Sequence, residues 1–172
     1  SKLCNISEKK YITDKLPSNF KRIGFILNSL PESKIIHIER NPMAICWSIF
    51  KSSFESEGMS YSLNQKYIAE YYILYKNLIN FWRQKYSNEI IWINYEKFIV
   101  NFNSSVKDLF KKLNLKWENH LYDFHNNPRA VETASFAQVR KKLYKNSSDE
   151  WKKYREYLKP MMEVLLSNNI KF

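Results

Sequence analysis

The chain alternates between short apolar runs and longer amphipathic stretches. The runs at 35–38 and 90–93 are apolar nearly throughout, which predicts two strands buried on both faces of a sheet. Apolar residues spaced three and four apart predict helices at 19–30, 65–86, 103–113 and 149–168, with another beginning at 41–42. Strands that alternate with helices are typical of an α/β fold, in which helices flank a parallel sheet.

The segment between the first strand and the next helix carries the most chemical information. Arg40 ends the strand, and Asn41 and Pro42 then signal a helix start, because Asn is a favourable N-cap and Pro suits the first turn. Ser48 lies further along, on the more polar side of this helix. A guanidinium beside a helix N-terminus, at the carboxyl end of a parallel strand, favours phosphate binding. The alternative is an Arg that only caps the strand and a Ser on a solvated face.

The second strand leads into Tyr95. We expect the strands at 35–39 and 90–94 to be adjacent and parallel, joined by a crossover that contains the longest helix. Arg40 and Tyr95 then emerge at the same edge of the sheet.

Composition narrows the choice of function. The 172 residues, 44% of them hydrophobic, are enough for one packed domain spanning 1–172. The net charge of +11 comes mostly from lysines that are scattered among acidic residues, so it supports an anionic ligand only weakly. A basic module that binds RNA or another polyanion therefore stays open as an alternative. With two glycines, the chain has no room for a glycine-rich phosphate loop of its own.

Cysteines and histidines show no spacing that predicts a metal site. Cys46 falls on the apolar side of its helix and is expected in the core. Two cysteines without a disulfide pattern favour a reducing cytoplasm. The sequence contains neither a signal peptide nor a run of about 20 apolar residues that would predict a membrane span.

Residues 34–54 resemble the segment of sulfotransferases that binds the 3′-phosphate of the nucleotide, with its strand-Arg-x-Pro-helix-Ser pattern. The resemblance implies that Arg40 and Ser48 bind the 3′-phosphate of 3′-phosphoadenosine 5′-phosphosulfate (PAPS). Residues 94–96 resemble the Tyr-Glu turn of the same family, which implies that Tyr95 lines the nucleotide site.

Three further segments match the family in its order. Residues 12–17 resemble the lysine-containing loop of tyrosylprotein-type enzymes, which implies that Lys15 stabilises charge on the bridging oxygen as sulfuryl leaves. Residues 133–144 resemble the Ser-x-x-Gln-Val segment that closes over PAPS. This resemblance implies that Ser135 lies near the sulfuryl group and that nucleotide is also bound by Gln138, Arg140, Lys141 and Lys142. Residues 147–154 resemble the closing helix, in which Trp151 is structural.

The resemblance implies a sulfotransferase with a P-loop-hydrolase-like fold that transfers sulfuryl from PAPS to a hydroxyl on a protein tyrosine, a peptide or a glycan, without a metal. The family's first strand and its loop for the 5′-phosphosulfate have no counterpart here, so we expect them to precede Ser1. We therefore expect these residues alone to bind nucleotide weakly and to be inactive. A nucleotide kinase of the same broad fold is the other alternative, although the chain has no Walker-type Gly-Lys-Ser motif. The oligomeric state and the acceptor are left open.

Overall fold

The computed structural model describes residues 11–52, 54, 58–127, 140, 141, 143 and 146–172. These ranges contain six α-helices and two strands, in the order α1 (Ile23–Ser29), β1 (Ile35–Glu39), α2 (Pro42–Phe50), α3 (Gln65–Lys85), β2 (Ile90–Asn94), α4 (Tyr95–Val100), α5 (Phe102–Lys112) and α6 (Lys159–Ser167). Narrower, more tightly wound 3-10 helices occupy Pro17–Arg22, Ser60–Leu63, Asn119–Asn126 and Glu150–Leu158.

The two strands pair in parallel, which confirms the topology predicted from the sequence. The register pairs Ile35 with Ile90 and Glu39 with Asn94. The residues that follow, Arg40 and Tyr95, therefore leave the sheet at the same edge. Helix α3 lies within the connection between the strands, so the described architecture is an α/β arrangement of helices around a small parallel sheet.

The two faces of the sheet differ in how well they are covered. On one face, His37 of β1 and Trp92 of β2 contact each other, and the Tyr75 hydroxyl of α3 lies 2.9 Å from His37 Nε2. On the other face, Ile36 and Ile38 are 40% and 54% exposed. The prediction that β1 is buried on both faces is therefore wrong, because α3 packs on one face and the described residues leave the isoleucines of the other open.

The main hydrophobic core lies between α2, α3, the Glu150–Leu158 helix and α6. Its fully buried members include Met43, Cys46, Ile68, Met161 and Leu165. Burial raises the pKa of Cys46 to about 12, so its thiol stays protonated and behaves as a small core side chain, as predicted.

A second, smaller core supports the sheet. Ile23 of α1, Ile79 of α3 and Ile90 of β2 pack together, and Tyr75 contacts both cores. Gly24 lies so close to the Trp82 indole that an added Cβ would come within 2.9 Å of it. The small residue therefore permits the contact between α1 and α3.

The helix boundaries agree with the sequence-based predictions at some positions and differ from them at others. The Asn41 side chain caps α2 by accepting from the Ala44 amide at 3.0 Å, as its sequence predicts. The helices predicted at 19–30 and 149–168 each divide into a 3-10 and an α segment. The second division falls one residue before Pro160, whose ring removes a backbone donor. Tyr95–Val100 form α4, a helix that the apolar pattern did not predict.

None of the helices in the described ranges combines the length and the apolar character that are needed to cross a bilayer.

Candidate functional site

Arg40 lies at the carboxyl edge of the sheet and is held by a segment far away in sequence. Its Nε donates to Ser148 Oγ at 3.1 Å, and its Nη2 donates to the Ser147 carbonyl at 2.7 Å. The guanidinium carbon lies 4.9 Å from the centre of the Tyr95 ring, within the range of a cation–π contact. Three neighbours therefore fix this cation at the point where the parallel strands end.

Glu96 completes the polar network around Arg40. Its Oε1 accepts from the Ser148 hydroxyl at 2.6 Å and from the Asn41 amide at 2.9 Å. Burial on its own raises the pKa of Glu96, but these two hydrogen bonds and the nearby Arg40 charge outweigh it, and the pKa lies below its ordinary value. Glu96 is thus a carboxylate at neutral pH, placed beside the N-terminus of α2, where a negative charge is favourable.

Tyr95 links the strand edge to the same distant segment. Its hydroxyl lies 3.3 Å from Ser147 Oγ, while its ring faces Arg40. Because Tyr95 begins α4 directly after β2, the strand end sets the position of its ring. The side chain can therefore present both a flat apolar surface and a hydroxyl to a ligand.

Arg40, Glu96 and Ser148 line a cleft of about 640 Å³, and Tyr95 lies beside it, against Arg40. We call it the sheet-edge cleft; it is bounded by Glu39, Arg40, Asn41, Pro42, Tyr72, Lys76, Asn94, Glu96, Lys97, Ser148, Asp149, Asn169, Ile170 and Lys171. The lining comes from β1, α2, α3, β2, α4 and the segments around α6. Its four cations, Arg40, Lys76, Lys97 and Lys171, give the cleft several charged groups that an anion could contact.

One acidic residue of the cleft is neutralised by close cations. Glu39 accepts from Lys76 Nζ at 2.9 Å and from Arg83 Nη2 at 2.6 Å. The Arg83 guanidinium also lies 4.1 Å from the centre of the Trp92 ring. Burial raises the pKa of Glu39, but the hydrogen bonds from Lys76 and Arg83 lower it by a larger amount. The pKa therefore lies below its ordinary value. Glu39 therefore opposes an incoming anion less than an unpaired carboxylate would.

The structure brings Arg40 and Tyr95 together but does not join Arg40 to Ser48. Ser48 is half-buried on α2 and is absent from the lining of the cleft. The hydrogen bonds of Arg40 to described residues go to Ser147 and Ser148 instead. A phosphate shared by Arg40 and Ser48 stays a prediction.

The other predicted residues lie apart from the cleft or outside the described ranges. Lys15 is exposed in the extended segment before the first 3-10 helix. Arg140 and Lys141 are described but do not line the sheet-edge cleft. Ser135, Gln138 and Lys142 lie outside the described residues. Their proposed roles rest on the resemblance alone.

Sequence reasoning missed the polar partners of Arg40. Ser148 and Glu96 stood in recognised segments, but neither was given a role at the site. The distances in sequence explain this, because Ser148 is 108 residues from Arg40 and 52 from Glu96. Lys76 and Lys97 were also missed, although their positions on α3 and just after β2 place them near the same edge.

Neither glycine forms a phosphate loop. Gly24 lies in α1 against Trp82, and Gly58 lies in a turn with a positive φ of 80°. No group of three or more His, Cys, Asp or Glu side chains that could hold a metal ion occurs among the described residues.

Comparison with known proteins assigns the chain to a family. The model of the "Sulfotransferase family" matches residues 4–119, about two thirds of the sequence. This match includes Arg40 and Glu96, which line the sheet-edge cleft, and Tyr95, whose ring contacts Arg40. The chain therefore belongs to the sulfotransferase family, as the sequence motifs predicted.

A curated relative extends the similarity over nearly the whole chain. An uncharacterized protein of Aquifex aeolicus (strain VF5) is 29% identical over 161 residues, which are 92% of this chain and 21% of that protein. The chain thus spans about a fifth of the length of this relative. No solved structure matches the chain significantly.

Proposed function

We propose that the sheet-edge cleft binds the 3′-phosphoadenosine part of PAPS, in a sulfotransferase that transfers the sulfuryl group to a hydroxyl acceptor. The observation that carries this proposal is the position of Arg40 at the end of β1, held by Ser147 and Ser148 and facing the Tyr95 ring. Membership of the sulfotransferase family supports it independently.

The chemistry of the cleft suits a phosphate monoester. A guanidinium has five N–H groups, and the hydrogen bonds of Arg40 to described residues use two of them. The other three can reach a ligand, and an Arg–phosphate contact can be bidentate and charge-assisted. The Tyr95 ring offers an apolar surface beside this cation, and Lys97 and Lys171 supply further positive charge.

The roles in the transfer step rest on the family resemblance. We assign stabilisation of the leaving oxygen to Lys15, and contact with the sulfuryl group to Ser135. Nucleotide contacts are assigned to Ser48, Gln138, Arg140, Lys141 and Lys142. Cations and hydroxyl donors can stabilise the negative charge that develops on the oxygens during sulfuryl transfer. Since neither glycine forms a loop for the 5′-phosphosulfate, these residues would supply one half of the nucleotide site.

Replacement of Arg40 tests the nucleotide proposal directly. We expect the chain to bind adenosine 3′,5′-bisphosphate more tightly than adenosine 5′-monophosphate, which lacks the 3′-phosphate. Arg40→Ala should remove about 1.5–3 kcal/mol of the binding free energy of the bisphosphate, because a hydrogen bond to a charged group contributes about that much. Isothermal titration calorimetry with both nucleotides measures the difference.

Arg22→Ala serves as the matched control, since Arg22 is exposed and lies outside the lining of the cleft. It removes the same charge from the protein and should leave both affinities unchanged. Equal binding of the two nucleotides by the wild type, or equal losses in the two variants, would contradict the proposal and favour a diffuse attraction to the +11 net charge.

A further inference from the structure

We propose that Ser148, held by Glu96, is a positioning residue that fixes the Arg40 guanidinium in the orientation in which it binds an anion. The inference rests on the proposed function, because it concerns how the same cleft is organised. Ser148 is 9% exposed, so water has little access to its hydrogen bonds.

The Ser148 hydroxyl has two different partners. It donates its single proton to Glu96 Oε1 at 2.6 Å and accepts from Arg40 Nε at 3.1 Å. A hydroxyl has one proton and two lone pairs, and a carboxylate can only accept. Glu96 therefore determines where the Ser148 proton points, and the lone pairs of the oxygen are left to face Arg40.

Glu96 is itself fixed by the backbone. The oxygen that accepts from Ser148 also accepts from the Asn41 amide at 2.9 Å. Asn41 follows Arg40 and caps α2, so this carboxylate oxygen joins the end of β1, the start of α4 and the segment around Ser148. Arg40 is held at both Nε and Nη2, which leaves Nη1 with no described partner.

Pre-organisation is the expected benefit. A free arginine side chain loses rotamer freedom when it binds an anion, and this loss of entropy weakens binding. A guanidinium that is already held by Ser148 meets this cost during folding. The position of Ser148 should therefore affect nucleotide affinity through Arg40, although the Ser148 side chain need not touch the ligand.

A double-mutant cycle tests this dependence. Ser148→Ala should weaken binding of adenosine 3′,5′-bisphosphate on the order of fivefold, since the hydrogen bond that orients Arg40 is lost. In an Arg40→Ala background, the same replacement should have no further effect. A structural role would weaken binding in both backgrounds. Unchanged affinity in Ser148→Ala, or equal losses in both backgrounds, would overturn the proposal.

Two serine variants serve as controls. Ser104 on α5 is exposed and lies outside the lining of the sheet-edge cleft, so Ser104→Ala should leave the affinity within about twofold of the wild type. Ser148→Thr retains a hydroxyl and should restore most of the affinity lost in Ser148→Ala. The backbone amide NMR spectrum shows whether this variant is folded. If it is folded and the affinity is not restored, the result would count against the proposal.

A second measurement does not depend on the nucleotide. In a proton–nitrogen NMR spectrum, the Nε–H of Arg40 should exchange slowly with water in the wild type and in Ser104→Ala, and faster in Ser148→Ala. Absence of nucleotide binding by the wild type would refute the proposed function, and this signal would still show whether Ser148 holds Arg40. Identical exchange in all three proteins would refute the positioning role.

Discussion

Two clefts in the described part of the chain carry positive charge but hold it in different ways. The sheet-edge cleft draws its lining from both strands, three helices and the carboxyl-terminal segment. The other, of about 530 Å³, is formed by α5 and the turn after it, and we call it the α5 cleft; its lining is Lys107, Phe110, Lys111, Asn114, Leu115, Lys116 and Trp117. The second cleft is therefore built from neighbours in sequence alone.

The comparison shows that the number of cations in a cleft and the number of contacts that fix them are different properties. In the sheet-edge cleft, Arg40 is held by Ser147, Ser148 and Tyr95, which come from distant parts of the chain. In the α5 cleft, Lys107, Lys111 and Lys116 are exposed. Exposed lysines keep their side-chain entropy and their hydration, so an anion gains little from them. A local abundance of cations is thus a weaker indication of a binding site than one cation fixed from several sides.

The largest effect should come from the core beneath the sheet-edge cleft. Met43 follows Pro42 of the cleft lining and is fully buried, so Met43→Ala should lower the free energy of unfolding by about 2–5 kcal/mol. Leu115→Ala in the α5 cleft should cost less, about 1 kcal/mol, because Leu115 is only half-buried.

Urea denaturation measures both changes, and Met43→Leu is the control that keeps most of the volume. It should cost less than about 1.5 kcal/mol. Similar losses for Met43→Ala and Leu115→Ala would mean that the two clefts are supported equally, and the contrast between them would fail.

The next largest effect should come from acidification, which destabilises the fold through His37 in the sheet. Burial lowers the pKa of His37 to about 4; the Glu39 charge raises it, and the Arg83 and Lys76 charges lower it. Between about pH 6.5 and pH 4, the unfolded chain therefore takes up a proton that the folded chain does not, and stability falls as the pH falls. Between pH 7.5 and pH 5.0 we expect a loss of about 2 kcal/mol from this group.

His37→Gln should remove this slope, whatever its effect on stability at neutral pH. His120 is exposed beside Glu118, and His120→Gln should keep the wild-type slope. Urea midpoints measured at several pH values distinguish the variants. If His37→Gln retained the full slope, another group would be responsible for the acid sensitivity.

The smallest effect should come from the exposed lysines. Lys97→Ala in the sheet-edge cleft should weaken adenosine 3′,5′-bisphosphate binding about twofold at low salt, and the difference should vanish at high salt because exposed charges are screened. Lys111→Ala in the α5 cleft should change nothing. If calorimetry showed the larger loss for Lys111→Ala, the nucleotide would lie in the α5 cleft instead.

Much of the fold follows from local rules. The register that places Arg40 beside Tyr95 was predictable, because two apolar runs joined by a long helix favour parallel pairing. The capping of α2 was predictable from Asn41 and Pro42. The exposure of Ile36 and Ile38 was not, because an apolar run does not tell which layers cover it.

The site was harder to predict than the fold. Motif order indicated Arg40 and Tyr95, but the partners that orient Arg40 depend on how the 147–148 segment packs against α4. A single serine hydroxyl has no pattern in the sequence that reveals its partners. Ser48 differs, since its spacing from Arg40 fits the family pattern while the hydrogen bonds of Arg40 to described residues go to Ser147 and Ser148.

The parallel pairing has a consequence for how the chain folds. Each residue of β1 pairs with one about 55 positions later, so the sheet forms only after a long loop has closed. Helix α3 can form from local contacts before that event, whereas non-local pairing is slow because the loss of chain entropy precedes the gain of contacts. We therefore expect Arg40 and Tyr95 to meet late in folding, so that the proposed anion site forms only after β1 and β2 have paired.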